Sequence, residues 1–199
     1  MANTSRATGF TPVKTLSGAQ WTGLVRRVFS PAADRSSDTT NNHGDIYIGD
    51  PIRIHTDGVV TPANSDLLIS GVVVGVSKDA TVTHGKAGMW NPTDLTKKYL
   101  AYDEAGYIYY VPVNDVLFEV ETGSDLDLSP GELADISTDS NEAHGSRTTG
   151  LSSVTLVTAS NNDVQVVEDV TRPDNDTSLT AARHLVIFKQ IGLLARNSV

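Results

Sequence analysis

The fold is decided by Ile69-Ser70-Gly71-Val72-Val73-Val74-Gly75-Val76, a run in which nearly every position is apolar or small. A strand that is apolar at successive positions has both faces covered, as strands in the core of a sandwich or barrel do. Gly71 and Gly75 allow the strand to bend, or a neighbouring backbone to approach closely. The run therefore predicts a buried strand with further strands on both sides.

The composition around this run also favours strands. Val, Thr and Ile together supply 53 of the 199 residues, and β-branched side chains fit a pleated surface better than a helix. Sixteen Gly and eight Pro, with many Asp, Asn and Ser between the apolar runs, predict frequent turns and short strands. We therefore expect an all-β protein, a β-sandwich or barrel-like domain of about ten short strands.

Local patterns predict how some of these strands pair. Residues 99–111 and residues 154–167 each contain two apolar or aromatic runs around a polar turn, which predicts two hairpins. Residues 45–54 alternate around Gly-Asp-Pro, which indicates a bent strand pair. Residues 184–195 are apolar on both faces and predict a central closing strand, after one short helical turn over 177–183.

Charge is unevenly distributed along the chain, whose net charge is −9. Residues 1–33 carry four basic side chains and no acidic one, whereas the remainder carries 11 basic and 24 acidic side chains. Residues 1–20 show no sustained alternation and are rich in Thr, Ser and Gly, which predicts an extended N-terminal arm. We expect residues 21–199 to form a single β-rich domain that begins with a strand over 21–29. A flexible terminus is the alternative for the arm.

Several classes of protein are disfavoured. The absence of Cys excludes a disulfide scaffold, a zinc–thiolate site and a cysteine nucleophile. No apolar run approaches the ~20 residues that span a bilayer, and the first residues do not resemble a signal peptide. Because affinity for phosphates comes from clustered Lys and Arg, the acidic balance argues against a nucleic-acid partner. We expect neither a membrane nor a nucleic-acid partner.

Motifs for catalysis or metal binding are also missing. The five His are scattered singly, and no phosphate-binding loop or nucleophile elbow occurs. Residues 125–131 begin like a calcium loop, but Pro130 takes the place of its glycine and Ile136 that of its glutamate. We expect no catalytic residue, metal or cofactor. A weak calcium site and a metal-dependent β-barrel hydrolase stay open as alternatives.

Five of the six tyrosines lie within twelve residues, at positions 99, 102, 107, 109 and 110. Cross-strand aromatic packing is the favoured interpretation, at roughly 0.2–1 kcal/mol per pair. Tyr102 and Tyr109 are the two expected to project outward as exposed aromatic contacts. A sugar-binding surface is the alternative, and it would make the protein a carbohydrate-binding or host-attachment module of a virion.

The order of motifs along the chain carries a family resemblance. The motifs are residues 8–14 (TGFTPVK), the strand beyond Trp21, Gly49-Asp50-Pro51, residues 69–76, the acidic strand at 116–121, and Arg172-Pro173-Asp174-Asn175. Together they cover most of the chain and resemble those of capsid decoration, or cement, proteins of tailed bacteriophages.

The resemblance implies a β-rich, commonly trimeric virion protein without enzymatic activity. Such a protein is made in the host cytoplasm and stabilises the outer face of the capsid by bridging major capsid protein subunits. On this basis the N-terminal residues are expected to bind the partner. The apolar anchors are Phe10, Val13, Leu16 and Trp21, and the basic residues expected to meet carboxylates are Arg6, Lys14, Arg26 and Arg27.

Overall fold

The computed structural model describes residues 3–6, 8–23, 25–30, 44–54, 60–63, 68–78, 98–123, 126–137, 145–189 and 191. These residues form thirteen strands in three antiparallel sheets, with no helix among them. The predicted all-β, sandwich- or barrel-like fold is confirmed. The strands outnumber the ten expected because four of them are only two or three residues long: Ile46–Tyr47, Val60–Pro62, Tyr99–Leu100 and Leu156–Thr158.

The strands follow one another along the chain with these bounds: β1 Thr11–Thr15, β2 Arg26–Ser30, β3 Ile46–Tyr47, β4 Pro51–Ile54, β5 Val60–Pro62, β6 Gly71–Lys78, β7 Tyr99–Leu100, β8 Gly106–Pro112, β9 Val116–Glu121, β10 Leu133–Ile136, β11 Leu156–Thr158, β12 Val164–Asp169 and β13 Arg183–Phe188.

The first sheet has six strands in the order β1-β9-β13-β12-β10-β11. Its last strand returns to the end of β9, because Leu156 bridges to Thr122 and accepts a hydrogen bond of 2.8 Å from the Gly123 N–H. The sheet thus curls around its own apolar interior. The largest side chains of this first core are Phe10, Phe118, Ile136, Leu156 and Phe188.

The second sheet has five strands in the order β2-β8-β6-β4-β5, and its edge strands β2 and β5 also contact each other. It curls around a second core together with the two-stranded sheet β3-β7. This core contains Ile46, Ile52, Ile54, Val60, Val73, Val76, Leu100, Ile108 and Tyr110.

Strand β6 connects the two cores, as its sequence predicts. Val72 packs in the first core, whereas Val73 and Val76 pack in the second. In a regular strand, Val73 and Val76 would lie on opposite faces because they are three positions apart. A β-bulge between Val73 and Gly75 places both side chains on the same face. The predicted strand with two covered faces is confirmed.

The predicted hairpin over residues 99–111 is wrong. β7 pairs with β3, and β8 lies between β2 and β6. β8 has five residues in register with β2 and seven with β6. Two long partners satisfy far more backbone groups than the two-residue β7 could, so the distant strands replace the local one.

The predicted hairpin over residues 154–167 is also wrong, because β10 lies between β11 and β12 and pairs with both. The turn that joins β11 to β12 lies around the end of β10, where Asp135 accepts hydrogen bonds from the backbone N–H groups of the turn.

The strand pair predicted within residues 45–54 is also wrong, because its two strands pair with other strands. β3 pairs with β7, and β4 pairs with β5 and β6.

The closing strand is confirmed over its described part. β13 lies between β9 and β12, and His184, Leu185 and Val186 are all buried. The helical turn predicted just before it is wrong, because residues 177–181 form turns without helix. The Asn3 side chain holds this segment from the N-terminal side, and it donates to the Asp176 and Thr180 carbonyls at 2.8 and 3.0 Å.

The segment predicted as an arm lies within the fold over its described residues. β1 is the edge strand beside β9, and Phe10 is only 1% exposed. The first strand of the predicted domain is also shorter than expected, because β2 begins at Arg26 rather than at Trp21. The boundary at residue 20 therefore does not separate an arm from a domain.

Candidate functional site

Exposed apolar side chains are concentrated near the N-terminus. Three of the seven large apolar residues that are exposed among the described residues fall between positions 13 and 25, namely Val13, Leu16 and Val25. Arg26 and Arg27 follow at once and are exposed too. We call these five exposed residues, which are close to one another in sequence, the N-terminal surface.

Backbone hydrogen bonds position the N-terminal surface. The Trp21 N–H donates to the Val13 carbonyl at 3.3 Å, and the Leu16 N–H donates to the Asp115 carbonyl at 2.8 Å. Trp21 is half-buried and packs on the first core. The loop between β1 and β2 thus turns its indole inward and leaves Leu16, 54% exposed, outside.

The basic residues of the N-terminal segment differ in their partners. Lys14 forms an ion pair of 2.7 Å with Glu168 of its own chain. The Arg27 guanidinium lies 4.7 Å from the centre of the Tyr107 ring, a cation–π distance. Arg26 forms no ion pair within the part of the chain that the structure describes. Within the described residues, neither Arg26 nor Arg27 pairs with a carboxylate.

Phe10 is placed differently from the expectation, whereas the Arg6 side chain is exposed. Phe10 packs on Phe188 with ring centres 4.8 Å apart, so it has no surface to offer a partner. Arg6 is exposed, but its backbone N–H donates to Glu121 at 2.8 Å and its carbonyl accepts from Arg183 at 3.1 Å. The backbone around Arg6 is thus held by the first sheet.

A polar depression of about 660 Å³ lies between residues 3–6 and Thr8 on one side and residues 172–183 on the other. Arg172 and Arg183 both line it, and both donate to the same oxygen of Glu119. Glu121 is buried beside it and also accepts from the Ser5 hydroxyl at 2.7 Å. The cations of this depression are largely neutralised by their own chain.

The tyrosines do not form one platform. Tyr110 packs in the second core, Tyr107 is buried with Arg27 over its ring, and Tyr99 stacks on Tyr47 at 5.5 Å. Tyr102 and Tyr109, the two expected to project outward, are both half-buried. Tyr109 lies opposite Gly75 and Arg27 in neighbouring strands.

A buried polar cluster lies at the turn between β3 and β4. Asp45, Tyr47 and Asp50 are completely buried there. Asp45 accepts from Arg147 Nε at 2.8 Å, from the Tyr47 hydroxyl at 3.0 Å and from the Tyr102 N–H at 2.9 Å. Burial and the Asp45 carboxylate raise the pKa of Tyr47, and the hydrogen bond to Asp45 raises that of Arg147.

Asp50 is the member of the cluster without a cation. Its Oδ2 accepts from the Tyr47 N–H at 2.8 Å, and its carboxyl also accepts from the Ser152 side chain, whereas its Oδ1 has no hydrogen-bond partner among the described residues. Burial, with a smaller contribution from Asp45, raises the pKa of Asp50 to about 7, although the two hydrogen bonds act in the opposite direction.

Sequence reasoning missed both Val25 and this cluster. Val25 could have been found from its place directly before Arg26 and Arg27. The Gly-Asp pairs at 44–45 and 49–50 were a second signal, because both aspartates flank one short strand and turn. No local signal could have found Arg147, which is 102 positions away from Asp45.

Among the described residues no group of three or more His, Asp or Glu side chains is arranged to hold a metal ion. No helix in this part of the chain is both long and apolar enough to cross a membrane. Comparison with protein-family models, with curated proteins and with solved structures found no match to this chain.

Proposed function

We propose that the protein is a non-enzymatic structural protein of a tailed-bacteriophage virion. It decorates the outer face of the capsid and stabilises it by bridging major capsid protein subunits. The observation that carries this proposal is the N-terminal surface, a stretch of sequence with three exposed aliphatic residues and two exposed arginines in an otherwise acidic chain. The order of motifs along the sequence supports the same function.

The N-terminal surface has the chemistry of a protein-binding patch. Aliphatic side chains that lose water on contact supply affinity at roughly 25 cal/mol for each Å² buried. Arginine is enriched at interfaces, and its planar fork binds carboxylates. Val13, Leu16 and Val25 would therefore form the apolar part of the contact, and Arg26 and Arg27 would meet acidic residues of the capsid protein.

A homotrimer is part of the proposal. One N-terminal surface offers only a few exposed side chains, so a single contact would be weak. A closed ring of three copies binds through several such surfaces at once, and linked contacts increase the overall affinity without any new type of contact. Copies arranged in this way match junctions at which shell subunits meet.

Variants of the N-terminal surface test the proposal. Recombinant protein is added to shells that lack it, and the bound fraction is measured by sedimentation, while cryo-electron microscopy locates the added density. We expect Leu16→Glu to reduce occupancy at least about tenfold, because a buried charge costs more than 1.4 kcal/mol.

Matched controls separate this surface from general effects of charge. Val13 and Val157 are both 37% exposed and lie on opposite edge strands of the first sheet. Val13→Glu should reduce binding, whereas Val157→Glu should not. Equal occupancy for both variants, or virions that prove to lack the protein, would refute the proposal.

Carbohydrate binding is the second candidate, and Tyr109 is the observation that favours it. Its half-exposed ring lies over Gly75, which has no side chain to cover it. The other tyrosines are in separate places, so the contact would be small. If glycan-array binding were detected and then abolished by Tyr109→Ala, host attachment would replace capsid decoration as the favoured function.

A further inference from the structure

Asp45 and Asp50 are two fully buried carboxyl groups, of which only Asp45 forms an ion pair among the described residues. Arg147 pairs with Asp45, and two further donors complete the hydrogen bonds of that carboxylate. Among the described residues no cation pairs with Asp50, and its Oδ1 has no hydrogen-bond partner. The other titratable and charged groups of the cluster are Asp45, Tyr47 and Arg147. Because Arg147 already pairs with Asp45, an ionised Asp50 would add a negative charge that no cation compensates.

The turn that carries Asp50 joins three distant parts of the chain. Gly49 accepts from the Phe10 N–H at 2.9 Å and donates to the Val73 carbonyl at 2.8 Å. Ile48 exchanges hydrogen bonds with Gly150 and Ser152. A movement of this turn would therefore displace the N-terminal segment, strand β6 and the segment at 150–152.

The packing at the turn leaves little room for adjustment. Gly49 has a φ of +94°, and a Cβ built on it would lie 2.1 Å from the Thr8 carbonyl oxygen. A Cβ on Gly9 would lie 2.5 Å from the Gly49 oxygen. Residues 8–10 can thus stay in place only while the turn keeps its present backbone.

We propose that the Asp50 carboxyl is a proton-dependent clasp, which holds residues 8–10 against the β3–β4 turn when neutral and loosens them when ionised. When the Asp50 carboxylate is ionised, solvation by water is more favourable than its buried position. Movement of Asp50 toward water displaces the neighbouring Gly49 carbonyl, which accepts a hydrogen bond from the Phe10 N–H. The clasp concerns this chain alone and does not depend on capsid decoration.

The direction of the pH dependence follows from linkage. The pKa of Asp50 is raised to about 7 in the folded protein, from an ordinary value near 4. The folded state therefore holds the extra proton between these values, and stability falls as pH rises through this range. Between pH 5.5 and pH 8.5 a single such proton changes the equilibrium constant about 30-fold.

Hydrogen exchange of the Phe10 amide tests the clasp in the intact chain. After correction for intrinsic exchange, protection of this amide should fall about 30-fold between pH 5.5 and pH 8.5. In Asp50→Asn, which has no ionisable group at this position, the same change should stay below about threefold. Asp174→Asn removes an exposed carboxylate and should behave like wild type.

Two results would overturn the inference. One is a loss of Phe10 protection that is equal in wild type and in Asp50→Asn. The other comes from wild-type protein alone and does not require the variant to fold. A carbon-13 NMR titration in which the Asp50 carboxyl ionises below pH 5 would show that it is charged throughout the range.

Discussion

The turn between β11 and β12 is held by one carboxylate, that of Asp135. It accepts from the backbone N–H groups of Ser160, Asn161 and Asn162 at 2.6 to 2.9 Å, and from the Ser160 hydroxyl at 2.8 Å. Burial alone would raise the pKa of Asp135, but these donors outweigh it and hold the pKa below its usual range. Asp135 therefore stabilises the turn between β11 and β12, which the sequence pattern predicted to be a simple hairpin turn.

Asp135→Asn should destabilise the protein by about 3 kcal/mol at pH 7, because an amide nitrogen would face the N–H donors of the turn and several hydrogen bonds to a charged acceptor would be lost. Denaturant unfolding measures the loss. Since the pKa is lowered in the folded state, the contribution of the carboxylate is present above about pH 4 and is lost as pH falls through the folded value. The difference between variant and wild type should therefore shrink in acid.

The exposed Asp174, whose side chain is 82% accessible, provides the control for Asp135. Asp174→Asn makes the same change in charge and should alter the unfolding free energy by less than about 0.5 kcal/mol. Equal effects of the two substitutions would show that the turn does not depend on Asp135.

At the scale of elements, β1 is the strand whose role changed most between sequence and structure. It is the edge strand beside β9, and Phe10 directly before it lies in the first core. Removal of residues 1–20 would therefore expose β9 as a new edge and open a cavity against Phe188. Such a deletion tests folding before it tests binding.

Phe10→Ala should lower the unfolding free energy by about 3–5 kcal/mol, the usual cost of removing a buried aromatic ring. Val13→Ala, at a position 37% exposed, should cost below about 1 kcal/mol. Thermal and denaturant unfolding of both variants measure the difference. Similar small losses would mean that residues 8–15 are not an integral part of the sheet.

The sequence correctly predicted the burial of those strands whose own residues determine it. β6 and β13 are apolar at successive positions, so burial on both faces follows from composition alone. The pairing of β7 and β8 could not be predicted, because their partners lie far away and local turn signals cannot weigh distant strands. The Asp45–Arg147 ion pair could not be predicted either, because its two residues are 102 positions apart in the sequence. The exposed Leu16 was predictable, whereas the burial of Phe10 depended on the position of Phe188.

At the scale of the whole molecule, charge divides the chain into unequal parts. Four cations and no acid precede residue 34, whereas 24 acids and 11 cations follow. Lys14 is already paired with Glu168, whereas Arg26 and Arg27 are exposed and form no ion pair with the described residues, so both are available to a partner. An adhesive contact through this surface would depend on ionic strength.

Binding to shells should weaken as salt rises from 50 to 500 mM, because exposed cations are screened over a few ångström at high salt. Arg26→Gln should reduce affinity about two- to fivefold at low salt and should flatten the salt dependence. Lys189→Gln, an exposed cation after β13, is the control and should leave the curve unchanged. Salt-independent binding of the wild type would contradict an electrostatic contribution.

The pairing of β1 with β9 also determines when the protein can finish folding during its synthesis. β1 leaves the ribosome first, but its partner strand lies roughly 100 residues later, a delay of about 5–20 s at ordinary elongation rates. Strands β2 to β8 are complete before β9 is made, so the second sheet can form while β1 waits unpaired. The β1 backbone therefore stays accessible to chaperones and to other nascent chains until β9 has emerged, and Phe10 stays without its contact to Phe188 for longer still.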